Sequence, residues 1–579
     1  MNFSLTRRGF VGATALAAAG LAACSQNSTS AASSASTADS AASFESAKTK
    51  VVQTAYGPVA GVVGEGVTTW YGVPYGANPT GELRWQAPQA PKAWTEELAC
   101  TEPKDMALQL ADGEVVGTED ILNLDIYAPD GADKLPVLVF IHGGNNQTGK
   151  AQEIPGTELV VSAGCVYVSL SFRLGALGFN PLPAVTAASD GTGNYAMLDI
   201  AAALDWIQAN IANFGGDPAN VTVSGFSAGG RDVMAMLISP TFEGKFHKAI
   251  AFSGGMTTAE IDPSVDKYAA AIAPLVVEDK KAATEAEAFE WLKGTGNDVL
   301  EYLMGVDAKR LAPLMGNAGI RMSVFPHLFC DGKVIPGDGF KGAKYTSVPL
   351  IMLTGSTEFS FFCLFDAFFS GDAVKGLSED ELNAAKAFAN KYGSDMYRIF
   401  NAQCSAEAMA DSYKAPIYIC QVNYGDANSA MSADLTPFGA FHGIFVPMLS
   451  SVNGYAEMMN GAFDKAGYQA MAAKFNAYLK AFLASADGTP KVDGETEWTA
   501  WTPDKKVSLV LDGTADAAVV EVKDVSSTYD KIIEAMKADT TVSEEVKALV
   551  EKNVTNGRWF SDAQDKAFGA PDLWAVDVK

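Results

Sequence analysis

The sequence contains few of the residues from which metal sites are built. Only 7 of its 579 residues are cysteine and 4 are histidine, and they form no CxxC, HExxH or His-x-His pairing. Protein ligands usually converge on zinc through spacings of that kind. We therefore expect no metal site, and nothing in the sequence calls for any other cofactor.

Positive charge is scarce as well. The chain has 42 Lys and Arg residues against 68 Asp and Glu residues, which gives a formal net charge of -26, and it contains no basic block. A surface this acidic repels phosphate backbones. The composition therefore argues against general nucleic-acid binding.

Long hydrophobic runs are also missing. No uninterrupted apolar stretch reaches the roughly 18 residues that a helix needs to cross a bilayer. Even so, 48% of the residues are hydrophobic and 19% are charged. That balance is typical of a folded chain with a large core, and it excludes a disordered or collagen-like protein.

Residues 1–24 have the pattern of an export signal. A charged start is followed by an apolar stretch and by small residues before Cys24. The pair Arg7-Arg8 resembles a twin-arginine signal, and Leu-Ala-Ala-Cys resembles a bacterial lipobox in which Cys24 is acylated. We expect a protein that is held on the outer face of the cell membrane by this lipid alone, or that is secreted.

The remainder divides into a tether and a folded body. Residues 25–48 are mostly Ser, Ala and Thr, so they cannot bury enough apolar surface to fold and should be flexible. Residues 49–579 alternate between strand-like and helical patterns, which predicts a single α/β domain with a mostly parallel sheet flanked by helices. The strand-like runs are 137–141, 165–170, 221–223, 349–353 and 416–420.

The clearest chemical signal follows the run at 221–223. Gly225-Phe226-Ser227-Ala228-Gly229 matches G-x-S-x-G, and a helical pattern over 232–239 comes after it. A serine on a tight strand-to-helix turn projects its oxygen from the edge of the sheet, and the flanking glycines let strand and helix approach closely. Ser227 is therefore the predicted nucleophile.

A second glycine-rich loop follows the run at 137–141. It reads His142-Gly143-Gly144-Asn145. Small residues at this place let backbone N–H groups point at a developing oxyanion. We expect His142 to orient the loop without facing the substrate.

A serine nucleophile needs a base, and three histidines follow Ser227. His247 leads into a further strand, and His327 precedes a turn that looks surface-exposed. His442 lies in a loop after the last strand, between Gly439 and Gly443, where it has room to reach inward. In enzymes whose nucleophile lies on a G-x-S-x-G turn, the chain order is serine, acid, histidine, so His442 is the favoured base.

Several segments in the right order resemble the type-B carboxylesterase and cholinesterase family of α/β-hydrolases, over roughly residues 51–515. They are 71–75 (YGVPY), 81–85 (GELRW), 118–127 (TEDILNLDIY), 172–179 (FRLGALGF), 193–195 (GNY) and 210–218 (NIANFGGDP). The resemblance implies the α/β-hydrolase fold and hydrolysis of small carboxylic esters. It also implies an oxyanion hole formed by the N–H groups of Gly144, Asn145 and Ala228.

The resemblance also suggests the third catalytic group. The family places its acid after the strand predicted at 349–353, which points to Glu358. Asp434 is the competing acid, because it lies between the last predicted strand and His442. A buried carboxylate on the imidazole would fix its tautomer and stabilise its charged form.

Three positions near this centre depart from the family pattern. Phe226 stands where the family often has Glu, Asn145 where it usually has Gly or Ala, and Phe445 where it often has an acid. Losing anionic groups weakens any analogy to choline recognition. The sequence leaves the acyl and alcohol preference and the oligomeric state open.

Other features have plainer interpretations. The Phe-rich segment 359–369 is best explained by core packing, with an acyl-pocket wall as the alternative. The charged helical pattern at 542–553 is most simply a solvent-exposed helix face. A non-catalytic surface protein for binding or adhesion is the alternative function on the same fold.

Overall fold

The computed structural model describes residues 48–455, 458–459 and 461–578. The predicted export signal, Cys24 and nearly all of the predicted tether lie outside the described residues. The strands are β1 (Thr49–Gln53), β2 (Pro58–Val63), β3 (Val67–Pro74), β4 (Leu98–Cys100), β5 (Gln109–Ala111), β6 (Glu114–Val116), β7 (Asn123–Pro129), β8 (Leu135–Ile141), β9 (Val166–Leu170), β10 (Gly216–Phe226), β11 (Lys248–Phe252), β12 (Leu350–Gly355), β13 (Ile417–Val422), β14 (Ser508–Gly513) and β15 (Ala518–Lys523).

Thirteen of these strands form one sheet, with the order β1-β2-β3-β7-β9-β8-β10-β11-β12-β13-β14-β15 and β4 beside β2. The seven central strands, in the order β9-β8-β10-β11-β12-β13-β14, are parallel to one another. Antiparallel strands complete both sides. The predicted sheet architecture is therefore confirmed, and each predicted strand-like run falls within or beside one of its central strands.

Helices cover both faces of the sheet. They are α1 (Gly156–Ala163), α2 (Gly175–Gly178), α3 (Pro183–Ala187), α4 (Tyr195–Asn210), α5 (Ala228–Met236), α6 (Ile261–Glu278), α7 (Glu285–Leu292), α8 (Asn297–Gly305), α9 (Ala308–Leu311), α10 (Ser360–Leu364), α11 (Glu379–Asn401), α12 (Gln403–Met409), α13 (Ser432–Leu435), α14 (Val446–Leu449), α15 (Ala466–Ala484), α16 (Tyr529–Ala538), α17 (Glu544–Val550) and α18 (Asp562–Phe568). Among the described residues, none of these helices has the length and apolar character that a membrane crossing requires.

The core lies on both faces of the sheet because successive strand residues point to opposite sides. In β8, Val137, Val139 and Ile141 join one hydrophobic cluster, and Leu138 and Phe140 join the other. A strand buried on both faces needs apolar residues at every position, which explains the continuous apolar run that the sequence displays here.

The C-terminal segment, residues 542–561, packs against the rest of the domain. Val546, Val550 and Val554 are buried in the same cluster as Trp559 and Phe560 of the following short turn. The interpretation of 542–553 as only a solvent-exposed face was therefore wrong for its inner side. Valines spaced four residues apart share one face of a helix, and that face is covered.

Candidate active site

Ser227 occupies a strained turn between β10 and α5. Its backbone has φ 56° and ψ -111°, a combination that L residues rarely adopt. A Cβ on Gly225 would lie 2.2 Å from the carbonyl oxygen of Gly229, and one on Gly229 would lie 2.1 Å from that of Ile141. Only glycine fits at both positions. The helix begins at Ala228, four residues earlier than predicted, so its N-terminus lies directly beside the serine.

His442 and Glu358 form a buried pair at the same edge of the sheet. The imidazole Nδ1 donates a hydrogen bond to Glu358 Oε2 at a distance of 2.5 Å. His442 is 7% exposed and Glu358 is 0% exposed. Glu358 follows β12, and His442 lies in the loop after its neighbour β13. Because parallel strands end at one edge, residues 84 apart in sequence come together.

The second oxygen of Glu358 is fixed by three donors. Glu358 Oε1 accepts hydrogen bonds from the Ser253 hydroxyl at 2.6 Å, the Thr354 hydroxyl at 3.1 Å and the Gly355 N–H at 2.5 Å. These contacts leave Oε2 pointing at His442. Ser253 follows β11 and lies 105 residues away in sequence, so no local pattern pointed to it.

The other candidates for acid and base are located elsewhere. Asp434 is exposed, on α13. His247 accepts a hydrogen bond from the N–H of Val221, which lies within β10. His327 is buried, and its Nδ1 forms a hydrogen bond with the Phe325 carbonyl. Among the described residues, no partner binds His442 Nε2, and so it forms no hydrogen bond with Ser227 here.

Aromatic rings surround the imidazole of His442. The ring centroids of Phe226, Phe362 and Tyr397 lie 4.8, 5.2 and 5.4 Å from its own. Phe445 packs on Phe226 at 5.1 Å, so the two positions where the family often has acids form one hydrophobic contact. Low polarity around the imidazole strengthens its interaction with Glu358.

The Phe-rich segment therefore contains two kinds of residue. Phe359 is fully buried and packs on Phe560, which confirms core packing for that residue. Phe362 lies against the imidazole instead. The acyl-pocket alternative stays a prediction.

Two hydrogen bonds fix the loop after β8. The Gly143 N–H donates to the Glu153 carboxylate at 2.8 Å, and His142 Nδ1 bonds the Gly143 carbonyl at 2.8 Å. Burial lowers the pKa of His142 to about 4, so the imidazole is neutral and serves as a donor within the loop. This is the orienting contact that we expected of His142.

The three predicted oxyanion donors are available. Gly144 has φ 102°, and a Cβ there would lie 2.0 Å from the Thr148 carbonyl oxygen, so only glycine fits. No hydrogen bond to another described residue engages the N–H groups of Gly144, Asn145 or Ala228. Unpaired N–H groups at a helix start and in a tight loop can bind a negative oxygen.

Two buried charged residues follow the serine on α5, and sequence reasoning did not single them out. Arg231 and Asp232 are each 1% exposed. Asp232 Oδ1 accepts from the Asn146 amide at 2.8 Å, and Arg231 Nη2 donates to Asn145 Oδ1 at 3.1 Å. Both residues therefore attach the nucleophile helix to the loop after β8.

Asp232 should make stability depend on pH. Burial raises its pKa to about 7, so between about pH 4 and 7 the folded protein binds more protons than the unfolded chain. The free energy of unfolding therefore falls as pH rises through this window. We expect Asp232→Asn to gain about 2–3 kcal/mol relative to wild type between pH 5 and pH 8, measured by urea unfolding. The exposed control Asp434→Asn should show no such gain, and an equal difference at both pH values for Asp232→Asn would contradict the assignment.

The arrangement is that of an α/β-hydrolase. It places a serine on a strained turn, a buried Glu-His pair and a glycine loop with unpaired N–H groups at the carboxyl edge of a mostly parallel sheet. Comparison with known proteins identifies the family. The model of the carboxylesterase family matches residues 48–391. The chain belongs to the carboxylesterase family, and it is a carboxylic ester hydrolase.

Individual relatives agree with this assignment. The para-nitrobenzyl esterase of Bacillus subtilis (strain 168) is 29% identical over 501 residues, which cover 80% of this chain and 95% of the relative. Carboxylesterase 1F of Mus musculus is 34% identical over 318 residues, covering 50% and 54%. A solved PNB esterase structure superposes with a TM-score of 0.63 at 25% identity, covering 83% of this chain and 99% of that one.

Proposed function

We propose that the protein hydrolyses small carboxylic esters through Ser227, His442 and Glu358, by way of an acyl-enzyme. The observation that supports this most directly is the 2.5 Å contact between His442 Nδ1 and buried Glu358, with Nε2 left unpaired. The imidazole lies 4.8 Å from the ring of Phe226, the residue before Ser227. An imidazole held in this way has its Nε2 lone pair free to accept a proton.

The reaction follows from these groups. Ser227 Oγ attacks the ester carbonyl carbon as His442 Nε2 takes its proton, and Glu358 stabilises the imidazolium. The N–H groups of Gly144, Asn145 and Ala228 bind the oxyanion. His442 returns the proton to the departing alcohol, and water then repeats the sequence on the acylated serine to release the acid.

The alternative, a non-catalytic binding or adhesion protein on the same fold, is not favoured. A binding surface needs neither a serine in a strained conformation nor a desolvated carboxylate held by three donors. Both features lower the stability of the fold, and a catalytic role explains why they are present.

A fluorophosphonate probe tests the nucleophile directly. We expect one covalent adduct, located at Ser227 by peptide mass spectrometry, and no adduct on Ser227→Ala. Ser224→Ala is the matched control, because Ser224 lies on β10, which leads to Ser227, and its hydroxyl donates to the Val139 carbonyl. This variant should label like wild type. An adduct on any other residue would refute the assignment.

A further inference from the structure

Arg231 is a buried cation with unused donors. It lies on the first turn of α5, four residues after Ser227, and is 1% exposed. Within the described part of the chain its Nε and Nη1 atoms are buried without a hydrogen-bond partner. Arginine is almost never fully buried unless it is paired, because an unpaired charge loses its hydration without compensation.

The neighbouring carboxylate attracts this cation but forms no direct ion pair with it. Asp232 bonds Asn146, and consecutive residues on a helix do not face each other. No carboxylate oxygen of the described residues lies within 4.0 Å of the guanidinium. The guanidinium donates to a neutral amide, Asn145 Oδ1 at 3.1 Å, and its other polar side-chain neighbour is the phenol of Tyr397.

The guanidinium lies next to the reacting groups. Asn145, which it contacts, supplies one of the proposed oxyanion donors. The phenol of Tyr397 is close enough to stabilise the Arg231 cation, and the ring of Tyr397 stacks on His442 at 5.4 Å. Arg231 therefore contacts the oxyanion loop directly, and one side chain, Tyr397, separates it from the proposed base.

The C-terminal segment holds the guanidinium in place. The Trp559 indole covers its face, 3.7 Å from the ring centroid, and also contacts His327 at 5.2 Å. A ring over the face fixes the plane of the guanidinium but leaves the N–H groups at its edge free to bond. The guanidinium is therefore fixed in position while its Nε and Nη1 donors remain unpaired.

We propose that Arg231 binds a carboxylate on the substrate, so that the enzyme prefers esters that carry a second, ionised carboxyl group. This inference rests on the proposed esterase function. One guanidinium with a neutral amide and a phenol suits a planar, singly charged anion, whereas a phosphate dianion would need more donors. The carboxylate would supply a directly bonded counter-charge and an acceptor for the unpaired Nε and Nη1 donors.

Matched ester pairs test this preference. Mono-4-nitrophenyl glutarate against 4-nitrophenyl pentanoate places the charge on the acyl side, and 4-acetoxybenzoate against phenyl acetate places it on the alcohol side. For at least one pair we expect wild type to favour the charged ester in kcat/KM, and Arg231→Met to lower that preference about 10- to 100-fold. Arg310→Met removes a surface arginine paired with Glu278 and Asp279, and it should keep the preference.

Each outcome has a distinct meaning. An unchanged preference in Arg231→Met for both pairs overturns the carboxylate site, even if both rates fall, because a purely structural arginine would affect charged and neutral esters equally. A wild-type enzyme that hydrolyses none of the four esters and takes no fluorophosphonate overturns the proposed function instead.

A measurement on wild type covers the case in which Arg231→Met fails to fold. Glutarate should slow fluorophosphonate labelling of Ser227 at least tenfold more than glutaramide does at the same concentration and ionic strength, because only the acid carries charge. Equal protection by the two compounds would overturn the proposal.

Discussion

Replacing Ser227 with alanine should lower kcat for a chromogenic acetyl or butyryl ester by about 10⁴- to 10⁶-fold. Alanine fits the turn no worse than serine, since the φ of 56° strains both equally. The variant therefore keeps the fold and the oxyanion donors but cannot form the acyl-enzyme. Only the small acceleration due to binding and the oxyanion hole would remain.

The control for this result is Ser224→Ala, which removes a buried hydroxyl three residues away. It should retain most of the activity. Rates of wild type and Ser227→Ala that are equal within error, after removal of trace contaminants by a second purification, would eliminate Ser227 as the nucleophile.

Replacing Glu358 with glutamine should lower kcat by about 10³- to 10⁴-fold. The donors from Ser253, Thr354 and Gly355 would bind the amide oxygen in the place of Oε1. The amide NH₂ would then face His442 Nδ1, which could only accept. The imidazole proton would move to Nε2, the atom that must take the serine proton, so the base would be blocked as well as unsupported.

Asp434→Asn is the matched control, because Asp434 is the competing acid and is exposed on α13. Its kcat should stay within about twofold of wild type, as expected for a surface substitution away from the site. A large loss in Asp434→Asn together with an active Glu358→Gln would reassign the acid.

The two phenylalanines near the imidazole bear on selectivity. Phe226 and Phe445 occupy positions where the family often has acids, and they pack on each other at 5.1 Å. Phe226 covers one side of the His442 ring, with Phe445 behind it, so this side offers no negative charge to a cationic substrate. Arg231, buried beside the oxyanion loop, offers positive charge instead. The preference that we propose is therefore for anionic rather than cationic esters.

The C-terminal segment adds a wall that the family match, which ends at residue 391, does not include. Trp559 covers Arg231, and Phe560 stacks on Tyr397 at 4.8 Å. Sequence reasoning assigned the start of this segment, residues 542–553, to solvent because of its charged helical pattern. The burial of its valines depends on a partner surface formed by residues more than a hundred positions earlier, which no local pattern reveals.

The sequence by itself determined the nucleophile turn and the central strands. Gly225 is fixed by its close contact with Gly229, four residues on, and the G-x-S-x-G pattern marks the turn even though Gly229 is also required by the distant Ile141 carbonyl. Continuous apolar runs follow from burial on both faces of a sheet, so both features are readable from the local sequence. Chain order and the resemblance to the family led to Glu358 and His442, which the fold then brought within 2.5 Å.

Only the tertiary structure decided which groups support and surround that pair. Ser253 reaches Glu358 because β11 and β12 end at the same edge, and Arg231 contacts Asn145 because α5 packs beside the loop after β8. Trp559 arrives from the far end of the chain. Such contacts join residues about 86 to more than 300 positions apart, and their energies come from burial and pairing that exist only once the chain has folded.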